Sequence, residues 1–305
     1  SAATILIMKL ISGSSNLPLA QSLAKILNVE LVKIEINKYA NDEKRIKILD
    51  DVQGENITLV QSFSSPVDEH IIEFLLIVDA LERMGARNVN VVIPWYGYSL
   101  QDKVFEDGEP LSAKVVANLI SASYVKRVFL LDVHNTSIAG FFSVPTHHLS
   151  AIDLFTKYAQ DNYDLSQTVI ASPDFGGLKR AGKLAESLNV DWVNIDKQRN
   201  LKTGEIIQME LHGSVEGKIA LVFDDVSVSG STVAQAAEVL KKSGAKEVHF
   251  LVTHGLFVGD AKEKLSTPAI NTIVVTNSIY HQQLPTNTKV IDCAKLFAAQ
   301  LKDWI

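Results

Sequence analysis

The sequence predicts an α/β protein of two duplicated domains, each a mostly parallel sheet flanked by helices. Three observations carry that prediction. The 305 residues make a length at which two ordinary domains each bury a core. Apolar runs of strand length such as Val89–Ile93 lie between helical segments, the pattern of parallel strands covered on both faces. The third is internal repetition. Leu23, Ala24, Leu27, Asn28, Val29, Val32 and Ile34 recur as Leu184, Ala185, Leu188, Asn189, Val190, Val193 and Ile195. A second echo pairs Leu81, Gly85, Ala86 and Val89 with Leu240, Gly244, Ala245 and Val248. A near-constant spacing in the same order is the mark of a duplicated unit. The expected domains are residues 1–150 and 151–305.

Taken in order, the first strand is expected near residues 6–11. The run Thr4-Ile5-Leu6-Ile7-Met8-Lys9-Leu10-Ile11 is short, apolar and β-branched, with no basic leader, so it reads as a strand and not a signal peptide. Met8 can equally serve as a start, which leaves residues 1–7 open as native sequence. A helix near 18–28 and strands near 31–35 and 57–61 follow. The helix near 68–84 holds the most lipid-like segment, Ile71–Leu81, but Glu73 and Asp79 interrupt it and it is too short to span a bilayer. It is expected to be a buried helix. Next come a strand near 89–93, a long connection, a helix near 112–122, a strand near 127–132 and a helix near 151–161. The second half places strands near 168–171, 191–195, 219–223, 247–253, 272–275 and 289–291. The sequence leaves open which domain the last helix, near Asp292–Leu301, packs on, the N-terminal one included.

Composition narrows the function. With 47% apolar and 21% charged residues and a net charge of −6, the chain has the make-up of a soluble enzyme. It lacks the basic balance that a nucleic-acid partner calls for, and nothing in it reads as a membrane span. One cysteine, Cys293, excludes an intrachain disulfide and suits a reducing cytoplasm.

The strand expected at Ile219–Phe223 ends in Asp224 and Asp225, followed by Val226–Thr232 and a helical segment from Val233. Backbone N–H groups of such a loop and the positive end of the helix suit a phosphate dianion. Ser229, Ser231 and Thr232 add hydroxyl donors, and Gly230 permits a backbone angle closed to other residues. Asp224 and Asp225 can accept hydrogen bonds from the cis hydroxyls of a ribose. An acidic strand end with a helix cap is the plainer reading of such residues. The acid pair set directly before Ser-Gly-Ser-Thr favours a phosphosugar site. The matching stretch of the first half, Gln61-Ser62-Phe63-Ser64-Ser65, has no acid pair, so only the second half is expected to bind a ribose phosphate in this way.

Three further constellations bear on chemistry. Lys197 and Arg199 stand at alternate positions in Asp196–Arg199, leading into a polar stretch to Glu205 that reads as a flexible loop. On solvated surface such cations are idle; over a polyphosphate they form a phosphoryl-transfer clamp. His134, two residues past a strand ending at Asp132, and Asp174 come from opposite halves. A Mg²⁺ between them keeps few protein ligands and takes phosphate oxygens, although imidazole is an unusual ligand for it. His147 and His148 read as structural. The connection Pro94–Lys103, rich in aromatics and glycine, is of a length that is more often functional than idle.

The acid-pair loop resembles the phosphoribosyl pyrophosphate loop of type I phosphoribosyltransferases. Nearly the whole chain resembles the ribose-phosphate pyrophosphokinases. The resemblance rests on Ser12–Ser15, Tyr39–Glu43, Gln101-Asp102-Lys103, Leu111–Lys114, Asp132–His134 and Gly140–Phe142. Ser172–Arg180, Lys197–Arg199, Asp224–Thr232 and Thr253-His254-Gly255 extend it, in the correct order. It implies two type I phosphoribosyltransferase-like domains and transfer of the β,γ-diphosphoryl group of ATP to the 1-hydroxyl of ribose 5-phosphate. It implies that Lys197 and Arg199 stabilise the transferring phosphorus, with Arg199 also near the sugar, and that Asp224, Asp225 and Val228–Thr232 hold ribose 5-phosphate. Tyr39, Asn41 and Glu43 would take the adenine, Gln101 and Asp102 would lie along ATP, and His134, Asp174 and Asp132 would serve Mg²⁺. A homo-oligomer, dimer or hexamer, is implied too. The chain departs from the family pattern at Leu100, where an Arg is usual, at Val228 and Ser231 in the loop, and at Tyr39 in place of Phe. Two rival readings are a phosphoribosyltransferase, which would need neither the duplicated half nor the Lys197/Arg199 clamp, and a non-catalytic regulatory relative.

Overall fold

The computed structural model describes residues 8–199 and 206–302; the side chains of 197–199 and 206–209 also lie outside the description. The chain forms two compact units. One contains residues up to Ser150, then Ser278–Tyr280 and the segment from Asp292; the other contains Ala151–Asn277 and His281–Ile291.

In the first unit, β1 (Met8–Ser12), β2 (Leu31–Val32), β5 (Asn56–Val60), β6 (Asn88–Ile93), β7 (Val125–Leu131) and β8 (Thr146–Leu149) form one parallel sheet in the order β2-β1-β5-β6-β7-β8. Between β2 and β5, β3 (Ile34–Lys38) and β4 (Lys44–Ile48) make an antiparallel hairpin outside that sheet. Helices α1 (Leu17–Leu27), α2 (Val67–Arg83) and α3 (Ser112–Ala122) cover the sheet. Ile71, Phe74, Ile77, Val78 and Leu81 of α2 are buried against Ile57, Leu59, Val89 and Val91. The apolar strand runs and the 3.6-residue stripe of α2 thus build one core.

The second unit repeats the plan. Helix α4 (Ile152–Asn162) leads to β9 (Thr168–Ser172), α5 (Leu178–Leu188), β10 (Trp192–Arg199), β11 (Ile206–His212), β12 (Ile219–Ser227) and α6 (Ser231–Lys242). Then come β13 (Glu247–Gly255), α7 (Ala261–Leu265), β14 (Thr272–Thr276) and β15 (Thr288–Ile291). The sheet order is β11-β10-β9-β12-β13-β14-β15, the first unit's order with an antiparallel strand, β11, added at one edge. A last helix, α8 (Ala294–Leu301), packs on α1 of the first unit.

The repetition reaches single hydrogen bonds. Helices α1 and α5 both end on a left-handed asparagine, Asn28 (φ 55°) and Asn189 (φ 53°), which is why Asn-Val recurs in the sequence. Gly54 N–H donates to Gly85 O at 2.8 Å and Gly217 N–H to Gly244 O at 2.9 Å. Arg87 N–H likewise donates to Glu55 O at 2.8 Å, as Lys246 N–H does to Lys218 O at 2.9 Å.

Some elements differ from the sequence reading. Strands β4, β8 and β11 were not expected, and each lies at a sheet edge or outside the main sheet. There a strand need not be apolar on both faces, and the signal that remains is short alternation, Ile46 and Ile48 in β4 and Ile207, Met209 and Leu211 in β11, which a criterion of fully apolar runs passes over. Asp196–Arg199, expected as the start of a loop, continues β10, with Asp196 opposite Glu210 and Lys197 opposite Met209. The acid pair does not end its strand: β12 runs on to Ser227, with Asp224 opposite Val252 on β13. Helix α4, counted above with the first half's pattern, packs on α5, and Phe155 meets Phe223 edge-on at 5.2 Å. No helix among the described residues is long and apolar enough to cross a membrane.

Candidate active site

Asp224 and Asp225 are buried near the end of β12, at 9% and 2% exposure. Two ionised carboxylates in that position are costly without a cation, and Arg180 supplies one. Its Nη2 lies 2.6 Å from Asp225 Oδ1 and 3.2 Å from Asp224 Oδ1. Burial first, and the Asp225 carboxylate second, still push the Asp224 carboxyl up to about 8, against the pull of Arg180. Sequence alone assigns Arg180 no role, although it closes the Ser172–Arg180 segment. A signal was present: Lys179 and Arg180 occupy the first turn of α5, where a cation opposes the helix dipole and no acid offsets it. Such a cation implies a carboxylate partner elsewhere in the fold.

Asp174 closes the turn after β9. Its Oδ1 accepts from Gly177 N–H at 3.1 Å, and Ser172 Oγ donates to Asp174 O at 2.6 Å. Its charge also reaches Asp224, whose pKa it helps to raise. Asp174, Arg180, Asp224 and Asp225 therefore form one electrostatic group at the C-terminal ends of β9 and β12, where ligands of parallel sheets bind.

The loop beyond β12 is fixed from below. Leu256 N–H donates to Ser227 O at 2.8 Å and Val258 N–H to Val228 O at 3.0 Å. Gly230 caps α6 with φ 72°, and a Cβ placed there would lie 2.6 Å from Leu265 Cγ. Both the backbone angle and the approach of α7 thus demand glycine. Ser229 and Ser231 hydroxyls face one another at 3.0 Å. The first-turn N–H groups of α6 have no acceptor within the helix, so the segment Val228–Thr232 offers backbone and hydroxyl donors beside an acid pair.

In the first unit, Tyr39, Asn41 and Glu43 share the tight turn between β3 and β4. Tyr39 N–H donates to Glu43 O at 2.9 Å, Asp42 N–H to Tyr39 O at 3.0 Å, and Asp42 adopts φ 65°. All three side chains are exposed, Tyr39 by 55%. Gln101 is anchored to the start of α3: its carbonyl accepts from Ala113 N–H at 3.1 Å and its Oε1 from Ser112 Oγ at 2.7 Å. Asp102 and Leu100 beside it are half-buried. Two grooves meet at Asp68 and Glu69, one bordered by Glu43 and Lys44, the other by Tyr98 and Gln101.

Asp132 follows β7 with φ 35°, in the left-handed region, and His134 is half-buried just beyond it. His148 Nε2 accepts from Val133 N–H at 3.2 Å, and His147 stacks on Phe129 at 4.9 Å. Among the described residues no three His, Cys, Asp or Glu side chains gather into a metal cage. Lys197 and Arg199 stand on β10; their side chains lie outside the description.

A parallel α/β unit with buried acids before a Ser/Gly loop and a helix N-terminus has acceptors fit for a sugar diol beside donors fit for a phosphate, the parts of a phosphosugar-handling class. The family model for the N-terminal domain of ribose phosphate pyrophosphokinase matches residues 8–123, and that for the phosphoribosyl synthetase-associated domain matches residues 188–303. The ribose-phosphate pyrophosphokinase of Thermotoga maritima is 38% identical over 292 residues, covering 95% of this chain and 92% of its own. That of Fusobacterium nucleatum is 40% identical over 284 residues, covering 93% and 89%. The crystal structure of phosphoribosylpyrophosphate synthetase from Mycobacterium smegmatis matches with a TM-score of 0.91 at 30% identity, over 98% of each chain. The chain belongs to the ribose-phosphate pyrophosphokinase family.

Proposed function

We propose that this chain is a catalytically active ribose-phosphate pyrophosphokinase, transferring the diphosphoryl group of ATP to the 1-hydroxyl of ribose 5-phosphate. One observation carries the reading for this chain's own site. The buried Asp224/Asp225 pair, tied to Arg180, stands directly before a glycine-capped helix N-terminus. Asp224 and Asp225 accept hydrogen bonds from the ribose diol, while Val228, Ser229, Gly230, Ser231 and Thr232 receive the 5-phosphate on N–H and hydroxyl donors. Tyr39 stacks on adenine, Asn41 and Glu43 read its edge, and Gln101 and Asp102 border the nucleotide.

In the reaction the 1-oxygen forms a bond to the β-phosphorus and its proton is lost. The bond from that phosphorus to the α,β-bridging oxygen breaks, and AMP leaves with the electron pair. Lys197 and Arg199 neutralise charge that gathers on the transferring group, the task that most lowers such a barrier. In the first unit His134 with Asp132, and in the second unit Asp174, are each groups that would serve a divalent cation, which we assign as Mg²⁺. A sparse donor set fits an ion that keeps waters and phosphate oxygens in its shell. When bound, that ion supplies charge neutralisation on the polyphosphate. The left-handed Asp132 backbone fits a functional corner, since strain of this kind gathers at ligand sites. A homo-oligomer and a cytoplasmic setting complete the reading; a sequence whose one cysteine, Cys293, is buried suits a reducing compartment.

The test is to incubate the protein with ATP, Mg²⁺ and ribose 5-phosphate and follow AMP and phosphoribosyl pyrophosphate together. Equal appearance of both, dependent on sugar and metal, is expected. Ribose 5-phosphate binding without AMP formation would instead favour the regulatory relative. Lys197→Ala is expected to lower kcat by about 100-fold or more with ribose 5-phosphate affinity retained, because its charge acts in the transition state. A raised KM at unchanged kcat would contradict that role.

A further inference from the structure

The two units invite comparison at one point. The repeated hydrogen bonds match Gly54 with Gly217 and Glu55 with Lys218, so Gln61 and Ser62 stand where the second unit has Asp224 and Asp225. Counting back from the matched glycines Gly85 and Gly244, Glu73 of α2 stands where α6 has Thr232 of the phosphate loop. Helix α2 begins earlier, at Val67, and fills that loop's place with helix.

Glu73 is fully buried. Its Oε1 accepts from Ser14 N–H at 2.7 Å, Ser14 Oγ at 2.8 Å and Gln61 Nε2 at 2.9 Å. Its Oε2 lies 2.8 Å from Lys44 Nζ. Backbone N–H, hydroxyl, amide and ammonium are the donors that a phosphate oxygen would take, and here an internal carboxylate takes them. The first unit's strand-end site is therefore closed by its own anion.

That anion has a second consequence. Lys44 begins β4 directly after Glu43, and across the hairpin it faces Lys38, the last residue of β3. Two like charges in register oppose pairing. Glu73 and, one helical turn earlier, Glu69 offset them: Lys38 Nζ is 2.8 Å from Glu69, and Lys44 Nζ is 3.6 Å from Glu69 as well as 2.8 Å from Glu73. Of these, the Lys44–Glu73 pair is the shielded one, with side-chain exposures of 12% and 0%, so solvent screens it least.

We propose that Lys44 and Glu73 are positioning residues for the nucleotide: their ion pair holds the rung at the base of the Tyr39–Glu43 turn on α2 and so sets Tyr39, Asn41 and Glu43 for the base. The proposal rests on the reading that this turn takes the nucleotide. Its test measures the Kd of ATP with Mg²⁺, and separately that of ribose 5-phosphate, for Lys44→Met, Lys44→Arg and Tyr39→Ala. Lys44→Met is expected to weaken ATP binding about tenfold, the effect of one lost charge-assisted hydrogen bond, and to leave ribose 5-phosphate binding unchanged. Lys44→Arg should restore most of the loss. If Tyr39→Ala weakens ATP binding but Lys44→Met does not, the positioning role is overturned while the nucleotide reading stands. If Tyr39→Ala has no effect on ATP, the reading beneath the proposal fails, and the proposal with it. Equal loss of both ligands in Lys44→Met would also overturn it, as damage to the fold.

Discussion

Asp224 carries a sharp electrostatic conflict, since a buried acid stands beside a second acid with one arginine bridging them. Its carboxyl, pushed up to about 8, keeps a proton that an exposed aspartate gives up near pH 4. The sign follows from proton counting. Below about pH 4 both folded and unfolded states hold the proton; between about 4 and 8 only the folded state does, so stability falls as pH rises, and the loss is complete above about 8. Asp224→Asn removes the group. Without ligand, its melting temperature should be flatter than wild type between about pH 5 and 8, and at pH 8 higher by a few degrees, about 2–4 °C for each kcal/mol recovered. Its ribose 5-phosphate affinity should fall. Calorimetric scans across that range decide the matter, since parallel wild-type and variant curves would place the proton elsewhere. The acid pair itself was legible in the sequence, because it stands after an apolar run and shortly before Ser-Gly-Ser-Thr and a helical segment. Arg180 was legible only as a cation at a helix start, for a helix position does not say which element supplies its partner.

At the scale of the element, the loop into α6 depends on one glycine, and the fold contains its own control. Gly54 and Gly230 have nearly equal backbone angles, φ 73° and 72°, but a Cβ at Gly54 meets nothing within 4 Å whereas one at Gly230 meets Leu265. Gly54→Ala should cost only the left-handed strain, about 1–2 kcal/mol. Gly230→Ala should cost more in urea unfolding and, because the loop must shift, weaken ribose 5-phosphate binding as well. Equal costs at the two sites would mean that Leu265 yields freely and does not shape the loop. The same loop was readable in sequence because its parts are contiguous. The hairpin elements were harder: β4 sets two alternating isoleucines, Ile46 and the buried Ile48, among three cations, and the end of β10 is Asp-Lys-Gln-Arg, a composition that belongs to solvent. Pairing with β3 and β11 gives them their conformation, and that pairing is tertiary information.

The whole molecule is one supersecondary plan used twice, and the repeated Leu-Ala, Asn-Val and Gly-Ala positions record it because each sits at a helix core or a helix end that tolerates few residues. What the repeat does not record is the return of the chain. After β15 the segment from Asp292 rejoins the first unit, where Phe297 and Leu301 of α8 are fully buried, Cys293, Ala294 and Ala298 nearly or wholly so, and Ser22 Oγ donates to Asp292 Oδ2 at 2.5 Å. Its partner α1 is amphipathic, with Leu19, Leu23 and Leu27 buried. An apolar eight-residue helix can be read from the sequence; the surface it covers cannot. Deleting residues 292–305 removes at least two large buried side chains from the first unit, at about 1.5–3 kcal/mol each. The cost should appear far away in sequence: hydrogen exchange is expected to quicken in α1 and β1, while β12 and β13 keep their protection, since their core is built from other residues. Uniform loss across both units would mean that they unfold as a single cooperative body. Loss confined to β14 and β15 would mean that α8 serves mainly to hold the end of the second sheet.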